Sequence, residues 1–119
     1  PQRDFLHVSD AVAAYLAIES AVIERKARGE ALNVGTGKPR SVREVIDAIQ
    51  FSTGSQQLPD YLLDRNPDGE IDRQFVDATK LTELTGWQPR TGFEAGIDEA
   101  VAWYEAHGET VRGRIGDDL

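Results

Sequence analysis

Residues 30–49 read EALNVGTGKPRSVREVIDAI, and this stretch decides the fold class. Its apolar beginning, Ala31 to Gly35, predicts a short buried strand, and the glycines and proline of GTGKPR predict a tight turn after it. Ser41 and Glu44 form an S-x-x-E capping box ahead of apolar residues at helical spacing, which predicts a helix of about three turns. A strand, a turn and a capped helix in succession are typical of an α/β fold.

The segment before this stretch predicts another helix. Apolar residues recur at helical spacing from Val8, with Ser9 or Asp10 as the cap, and the helix is expected to end in the charged residues 24–28 with Gly29 as its stop. Helices alternate with very short strands, but there are too few strands for a sheet of normal size. We therefore predict an incomplete sheet and a fragment whose other strands lie upstream.

The segment after it predicts two extended pieces and a short helix. LPDYLLDR (58–65) and DRQFVD (72–77) are expected to be extended, with the turn NPDG between them. Asp77 is expected to cap a short helix that stops at Gly86. Both features are local, because each depends on residues close together in the chain.

The last predicted helix opens at a second capping box, formed by Thr91 and Glu94, and Gly108 is expected to lie beyond its end. The tail after it is polar and is expected to fray. Trp87 and Pro89 precede the capping box, and an aromatic residue next to a proline after a helix stop is most simply part of the core.

The composition limits the possible partners. The 119 residues include 13 Lys and Arg against 21 Asp and Glu, a formal net charge of −8 at pH 7. This charge repels nucleic-acid phosphates and anionic lipid, which argues against both partners. An anionic small molecule is still compatible with this charge, because a few arginines in a cleft can bind an anion locally. The absence of cysteine excludes disulfides and thiolate metal sites and fits a cytoplasmic protein.

No catalytic pattern is found in the chain. No tyrosine is followed by a lysine four residues later, so a Y-x-x-x-K dyad is absent. Gly35 and Gly37 form an isolated G-x-G without the third glycine of a dinucleotide fingerprint, which favours a backbone turn. His7 and His107 have no ligand spacing, which argues against a metal site.

Arginines beside strands and turns are the remaining candidates for chemistry. A planar guanidinium in such a place can bind a diphosphate with two hydrogen bonds. An arginine in a loop is, however, more often a solvated or surface-paired charge, and both interpretations stay open for each residue. The candidates are Arg3, Arg40, Arg65 and Arg73.

Three motifs in order along the chain carry a resemblance. They are RDFLHVSDAVAAYL (3–16), EALNVGTGKPRSVREVIDAI (30–49) and GEIDRQFVDATKLTELTGWQPRTGFEAGIDEAVAWYE (69–105). The chain closely resembles the C-terminal part of the extended short-chain dehydrogenases/reductases that act on nucleotide-sugars. The resemblance implies an α/β portion of a Rossmann-type enzyme, with residues 1–119 as the substrate-binding portion and the N-terminal dinucleotide-binding portion absent.

The resemblance also implies the binding residues. Arg3 holds the place of the family arginine that reaches the nucleotide diphosphate, and Arg65 is our choice for the second, although two additional residues follow it before Gly-Glu. Phe5 is expected to line the base or sugar pocket, although apolar strand residues are more often simply buried. Asn33 matches a family asparagine, and we favour a structural amide that holds loop backbone over a ligand contact.

The resemblance implies that the full-length protein is an NAD- or NADP-dependent 4,6-dehydratase or 4-epimerase. It would bind a nucleotide-diphosphate sugar, transfer a hydride at sugar C4 and form a homodimer. The residues for hydride transfer would belong to the N-terminal portion, so no catalytic residue is assigned in this chain. The alternative is a free-standing, non-catalytic α/β module that binds a nucleotide-sugar or a protein.

Overall fold

The computed structural model describes residues 1–57 and 69–115, with side chains in the last helix described to residue 108. The predicted extended piece at 58–65 and most of the turn after it lie outside the described residues. The elements are, in chain order, β1 (Gln2–Asp4), α1 (Val8–Ile23), β2 (Pro39–Ser41), α2 (Val42–Thr53), α3 (Thr79–Thr85) and α4 (Phe93–Ile115).

The described sheet is small and has two strands. β1 pairs antiparallel with β2, and Arg3 lies opposite Arg40 in this register. The chain at Arg73 lies along the other side of β1 as a single parallel bridge, because the Gln2 backbone bonds to the Asp72 carbonyl (2.7 Å) and to the Gln74 amide (3.0 Å). The predicted extended piece at 72–77 is therefore adjacent to β1, although it forms no full strand.

The predicted strand at Ala31 to Gly35 is wrong for the described residues, since this segment pairs with no neighbour there. Leu32 and Val34 are half-buried and pack against the core, as the apolar pattern indicates. A strand requires a partner with free backbone groups, and hydrophobicity alone does not supply one. The predicted burial of the segment is therefore found only in part, since Ala31 and Asn33 are exposed, and its pairing as a strand is not found.

Helix α1 differs from its predicted cap and end. The cap is His7, whose Nδ1 accepts a hydrogen bond from the Ser9 amide at 3.4 Å, and Asp10 is buried at 5% exposure. The helix ends at Ile23, before the predicted stop, and Arg25 adopts a left-handed φ of 61°. Ser9 and Asp10 do not cap the helix because they lie inside its first turn, and their side chains bond to the segment before α4.

The large apolar side chains of α1 do not form the core of this chain. The helix buries its small residues Ala14 and Ala21 together with Asp10. The opposite face, which carries the large apolar residues at helical spacing, is exposed. Its side chains are Val8, Val12, Tyr15, Leu16, Val22 and Ile23.

Helix α2 agrees with the prediction. The Ser41 hydroxyl accepts from the Glu44 amide at 3.1 Å, while Glu44 Oε2 accepts from the Ser41 amide at 2.7 Å, so the capping box is complete. Gly54 ends the helix in the left-handed conformation. The predicted N-cap of α3 is wrong by one residue, because Ala78 and not Asp77 occupies the cap position. Asp77 lies just before it, and its Oδ1 accepts a hydrogen bond from the Thr79 amide at 2.9 Å.

Helix α4 begins at Phe93, near the predicted start, but the predicted end before Gly108 is wrong, because the helix runs to Ile115. Glycine in a helix interior costs about 1 kcal/mol relative to alanine, which weakens a helix without ending it. The Thr91 hydroxyl lies 3.4 Å from Ser9 Oγ and also contacts Asp10, so this side chain connects α4 to α1.

The core is small and joins α1, α3 and the segment before α4. Its buried members are Ala14, Leu81 and Trp87, and the indole Nε1 of Trp87 donates to the Asp10 carbonyl at 3.2 Å. The prediction that Trp87 belongs to the core is confirmed. Helices α2 and α4 pack against each other as a second unit of the fold.

Candidate functional site

Asp4 fixes the loop that follows residues 31–35. Its carboxylate accepts from the Thr36 amide at 2.9 Å, from the Thr36 hydroxyl, from the Gly37 amide at 2.9 Å and from the Val76 amide at 3.4 Å. Burial by itself raises the pKa of Asp4, but these hydrogen bonds outweigh it and hold the pKa below its usual range. The end of β1 therefore holds two other segments through one ionised carboxylate.

The G-x-G turn serves this internal contact and does not fit a dinucleotide phosphate. A Cβ at Gly35 would overlap Val76 Cγ2 and the Asp4 carboxylate, so any larger residue there requires these groups to shift. The Thr36 and Gly37 amides, which a phosphate would need as donors, already bond to Asp4. The described residues thus offer no cofactor cradle at this turn.

Arg3 lies beside Asp4 with its guanidinium held at a defined place. Its Nη1 donates to the Gln2 carbonyl at 2.8 Å and to the Ile71 carbonyl at 2.7 Å, and Nη2 donates to Glu70 Oε1 at 3.4 Å. The side chain is 30% exposed. A guanidinium anchored on backbone carbonyls and open to solvent is suited to binding an anion.

Phe5 lies directly after β1 and is partly exposed. It lines a groove of about 910 Å³ between the end of β1, the loop before β2 and α4. The Arg40 guanidinium carbon lies 4.9 Å from the centre of the Phe93 ring in this groove, and Arg40 Nη1 lies 3.1 Å from Glu44 Oε1. Cationic and aromatic side chains together can accept a flat, polar ligand.

Asn33 holds backbone, in agreement with the interpretation that we favoured. Its Nδ2 donates to the Asp77 carbonyl at 3.2 Å, just before α3. Lys80, in the first turn of α3, pairs with Glu30 rather than with Asp77. Two contacts therefore join the segment at 30–33 to the start of α3.

The structure brings only part of the predicted site together. Arg3 and Phe5 are two residues apart at β1, but Arg3 is not among the residues that line the groove with Phe5. The described contact of Asn33 is with the start of α3. Arg65 lies outside the described residues. Arg3 is joined instead by Glu70, for which the only sequence signal is the Gly-Glu pair after Arg65.

Asp10 is a second carboxylate whose structural role was missed. Its Oδ1 accepts from the Arg90 amide at 3.0 Å and its Oδ2 from the Thr91 amide at 2.9 Å. Burial raises the pKa of Asp10, but these hydrogen bonds outweigh it and lower the pKa below its usual value. The only sequence signal for this role is an acidic residue on the face of α1 that otherwise carries alanines.

Other kinds of site are not found in the described part of the chain. Within residues 1–57 and 69–115, no three His, Cys, Asp or Glu side chains are grouped so that they would hold a metal ion. None of the helices there is both long and apolar enough to cross a bilayer.

Comparison with known proteins gives the family. A family model described as GDP-mannose 4,6 dehydratase matches residues 1–100. A putative UDP-glucose 4-epimerase of Methanocaldococcus jannaschii is 32% identical over 91% of this chain and 32% of that protein. A dTDP-glucose 4,6-dehydratase of Xanthomonas campestris pv. campestris is 34% identical over 93% of this chain and 33% of that protein. The chain thus spans about a third of the length of these relatives.

The fold agrees with solved structures. A UDP-glucose-4-epimerase from Stenotrophomonas maltophila, solved with NAD and formylated UDP-arabinopyranose, superimposes with a TM-score of 0.77 at 29% identity over 90% of this chain and 31% of that one. The fold class predicted from the sequence, a portion of a Rossmann-type α/β enzyme, is confirmed. The chain belongs to the GDP-mannose 4,6-dehydratase family, within the nucleotide-sugar epimerases and dehydratases of the extended short-chain dehydrogenase/reductase group.

Proposed function

We propose that this chain is the C-terminal, substrate-binding portion of a nucleotide-sugar 4,6-dehydratase or 4-epimerase. In this proposal Arg3 binds the diphosphate of a nucleotide-sugar, together with Arg65. Phe5 lines the pocket for the base or sugar, and Asn33 belongs to the same site by holding the Asp77 backbone before α3. The full-length protein uses NAD or NADP and acts at sugar C4, through residues outside this chain.

One observation carries the proposal: the Arg3 guanidinium is anchored by two backbone carbonyls and yet partly exposed. Adjacent strand residues face opposite sides, so Asp4 can bond inward to the 36–37 loop while Arg3 faces outward. A fixed cation on a rigid backbone loses little entropy when it binds a ligand. This arrangement favours a binding role over that of a freely solvated surface arginine.

The exposed face of α1 supports the second half of the proposal, that another portion of the protein covers this chain. Tyr15 is 76% exposed and Ile23 74% exposed on the same helix. Large apolar side chains grouped on one helix face generally mark a contact surface. We propose that the N-terminal, dinucleotide-binding portion covers this face in a full-length, homodimeric and cytoplasmic enzyme.

The test is calorimetric titration of the full-length protein carrying these residues with UDP, dTDP and GDP. We expect one of the three to bind and Arg3→Ala to weaken it about ten- to a hundredfold, as loss of a charge-assisted contact predicts. Arg3→Lys should recover part of the affinity, because a single ammonium cannot replace the planar fork. Equal affinity in wild type and Arg3→Ala would contradict the proposed role.

The alternative, a free-standing binding module without catalysis, is tested separately. The intact mass of the natural polypeptide, or the reading frame before Pro1, distinguishes the two. An upstream glycine-rich βαβ unit with a Y-x-x-x-K motif supports the enzyme, and a natural chain that starts at this point supports the module.

A further inference from the structure

His7 joins two helices through one imidazole ring. It lies between β1 and α1 as the N-cap of the helix, and its side chain is 15% exposed. Nδ1 faces α1 and lies 2.7 Å from the Ser9 hydroxyl and 3.4 Å from the Ser9 amide. Nε2 faces α4 and lies 3.6 Å from Glu99 Oε2. The two ring nitrogens therefore have partners on two different helices.

The imidazole packs closely against the first turn of α4. A Cβ at Gly96 would lie 3.2 Å from His7 Cδ2 and 3.6 Å from His7 Cβ, so the ring lies close to the helix backbone. The Ser9 hydroxyl, which contacts the ring, is also 3.4 Å from Thr91 Oγ1 in the segment before α4. A change in the hydrogen bonds of His7 therefore affects the junction of α1 with α4.

The cap requires one protonation state of the ring. A backbone amide only donates, so Nδ1 accepts from Ser9 only without a proton, and Nε2 then carries the proton of the neutral imidazole. In the imidazolium both nitrogens are donors. Nδ1 can then donate to the Ser9 hydroxyl but cannot accept from the Ser9 amide, and Nε2 belongs to a cation beside Glu99. Histidine is the type of side chain suited to such a change near neutral pH.

The charges around His7 act in opposite directions. Asp10, on α1, interacts electrostatically with His7, and Glu99, on α4, faces Nε2, so both carboxylates favour the imidazolium. The amides at the N-terminus of α1 carry partial positive charge and favour the neutral ring. The surroundings therefore contain partners for both protonation states. The other charged side chains of the groove that His7 lines are Lys38, Arg40, Arg90 and Glu94.

We propose that His7 is a proton-dependent joint between α1 and α4. The neutral ring caps α1, whereas the imidazolium releases the Ser9 amide and pairs with Glu99. Acidification thus weakens the first turn of α1 and strengthens the contact with α4. Because α1 carries the exposed apolar face, the joint makes the attachment of that face dependent on pH. The inference does not require that Arg3 bind an anion.

The first test observes the ring in the full-length protein labelled with ¹⁵N-histidine. The signals of His7 are those that disappear in His7→Asn. At pH 8 we expect a neutral ring with its proton on Nε2, because Nδ1 accepts from the Ser9 amide. A ring with its proton on Nδ1 at pH 8 would overturn the inference, since that tautomer cannot cap α1.

The second test follows hydrogen exchange of the amides at 11–13, which donate the first hydrogen bonds of α1, beginning with Ala11 to the His7 carbonyl. After correction for the intrinsic effect of pH, wild-type protection should fall about three- to tenfold from pH 8 to pH 5.5, as loss of an N-cap predicts. His7→Asn should keep its protection, because asparagine caps without titrating. His107→Asn, at the other histidine of the chain, is the control and should behave as wild type. The same pH dependence in His7→Asn as in wild type would contradict the proposal.

Glu99→Gln tests the contact with α4 while His7 stays in place. Loss of the charge of this partner should move the protonation of the ring, followed by its ¹⁵N signals, to a pH lower by about 0.2–0.7 unit. Glu105→Gln, the same change at an exposed position farther along α4, should leave the profile as in wild type. If Glu99→Gln and Glu105→Gln give the same profile, the imidazolium does not pair with Glu99 and the joint as proposed is wrong.

Discussion

The Asp4 carboxylate accepts hydrogen bonds from both the amide and the hydroxyl of Thr36, which lies 32 residues later in the chain. This contact fixes the loop after residues 31–35 to the end of β1, beside the guanidinium of Arg3. Position 4 is therefore as important for the geometry of the site as position 3, although its side chain bonds to the protein.

Asp4→Asn should destabilise the protein by about 1–3 kcal/mol, because an amide carries only one acceptor oxygen and leaves backbone donors unpaired. Urea denaturation measures the effect, and Asp47→Asn, at an exposed position on α2, is the control for charge. Equal unfolding midpoints for Asp4→Asn and wild type would show that the loop does not depend on this carboxylate.

The lowered pKa of Asp10 predicts a loss of stability in acid. The folded-state pKa lies below the ordinary value of 3.8, so the unfolded chain binds the proton first as the pH falls. The stabilisation is complete above that ordinary value and is lost as the pH falls through the lowered one. Unfolding free energies measured from pH 7 to pH 2.5 should decline less steeply for Asp10→Asn than for wild type. Parallel curves would contradict the assignment.

Gly35→Ala should be strongly destabilising, by about 2 kcal/mol or more, because the added methyl group overlaps the Val76 side chain and the Asp4 carboxylate. Gly92→Ala is the matched control, since a Cβ there meets no atom within 4 Å. Thermal unfolding followed by circular dichroism compares the two. A melting temperature for Gly35→Ala equal to that of the control would show that the close approach is relieved by a small shift.

Arg25→Gly should stabilise the protein by about 0.5–1 kcal/mol, because Arg25 has a φ of 61° and glycine adopts this region without strain. Arg28→Gly removes the same charge at a position without a left-handed backbone and should give no gain. Denaturation midpoints of both variants, compared with wild type, measure these changes in stability. A loss of stability at position 25 would mean that the arginine side chain itself contributes.

The isolated 119-residue chain should self-associate through the exposed face of α1, with rapid amide exchange at residues 9–34 and better protection in α4. The physical reason is the group of large apolar side chains on that face. The double variant Tyr15→Lys/Ile23→Lys should abolish concentration-dependent melting, whereas Gln88→Lys, at an exposed position outside α1, should not. Cooperative monomeric melting of the wild type, with strong protection at 31–34, would favour a self-sufficient module.

Local features were predictable from the sequence, and long-range contacts were not. The Ser41–Glu44 capping box and the stop at Gly86 depend on residues a few positions apart, and both are found as predicted. The role of Asp10 was missed because its partners lie 80 and 81 residues away. Arg3 was selected by resemblance, but its partner Glu70 comes from a distant segment that only the folded chain brings close.

The contacts of residue 10 with residues 87, 90 and 91 also bear on the order in which parts of the chain fold. They join the first helix to the last third of the chain, so they bring together residues 77 to 81 positions apart. Closing so long a loop costs entropy that neighbouring contacts do not offset until most of the chain is ordered. In folding kinetics, therefore, α2 with its capping box should form early, and the junction at Asp10 should form late and limit the rate.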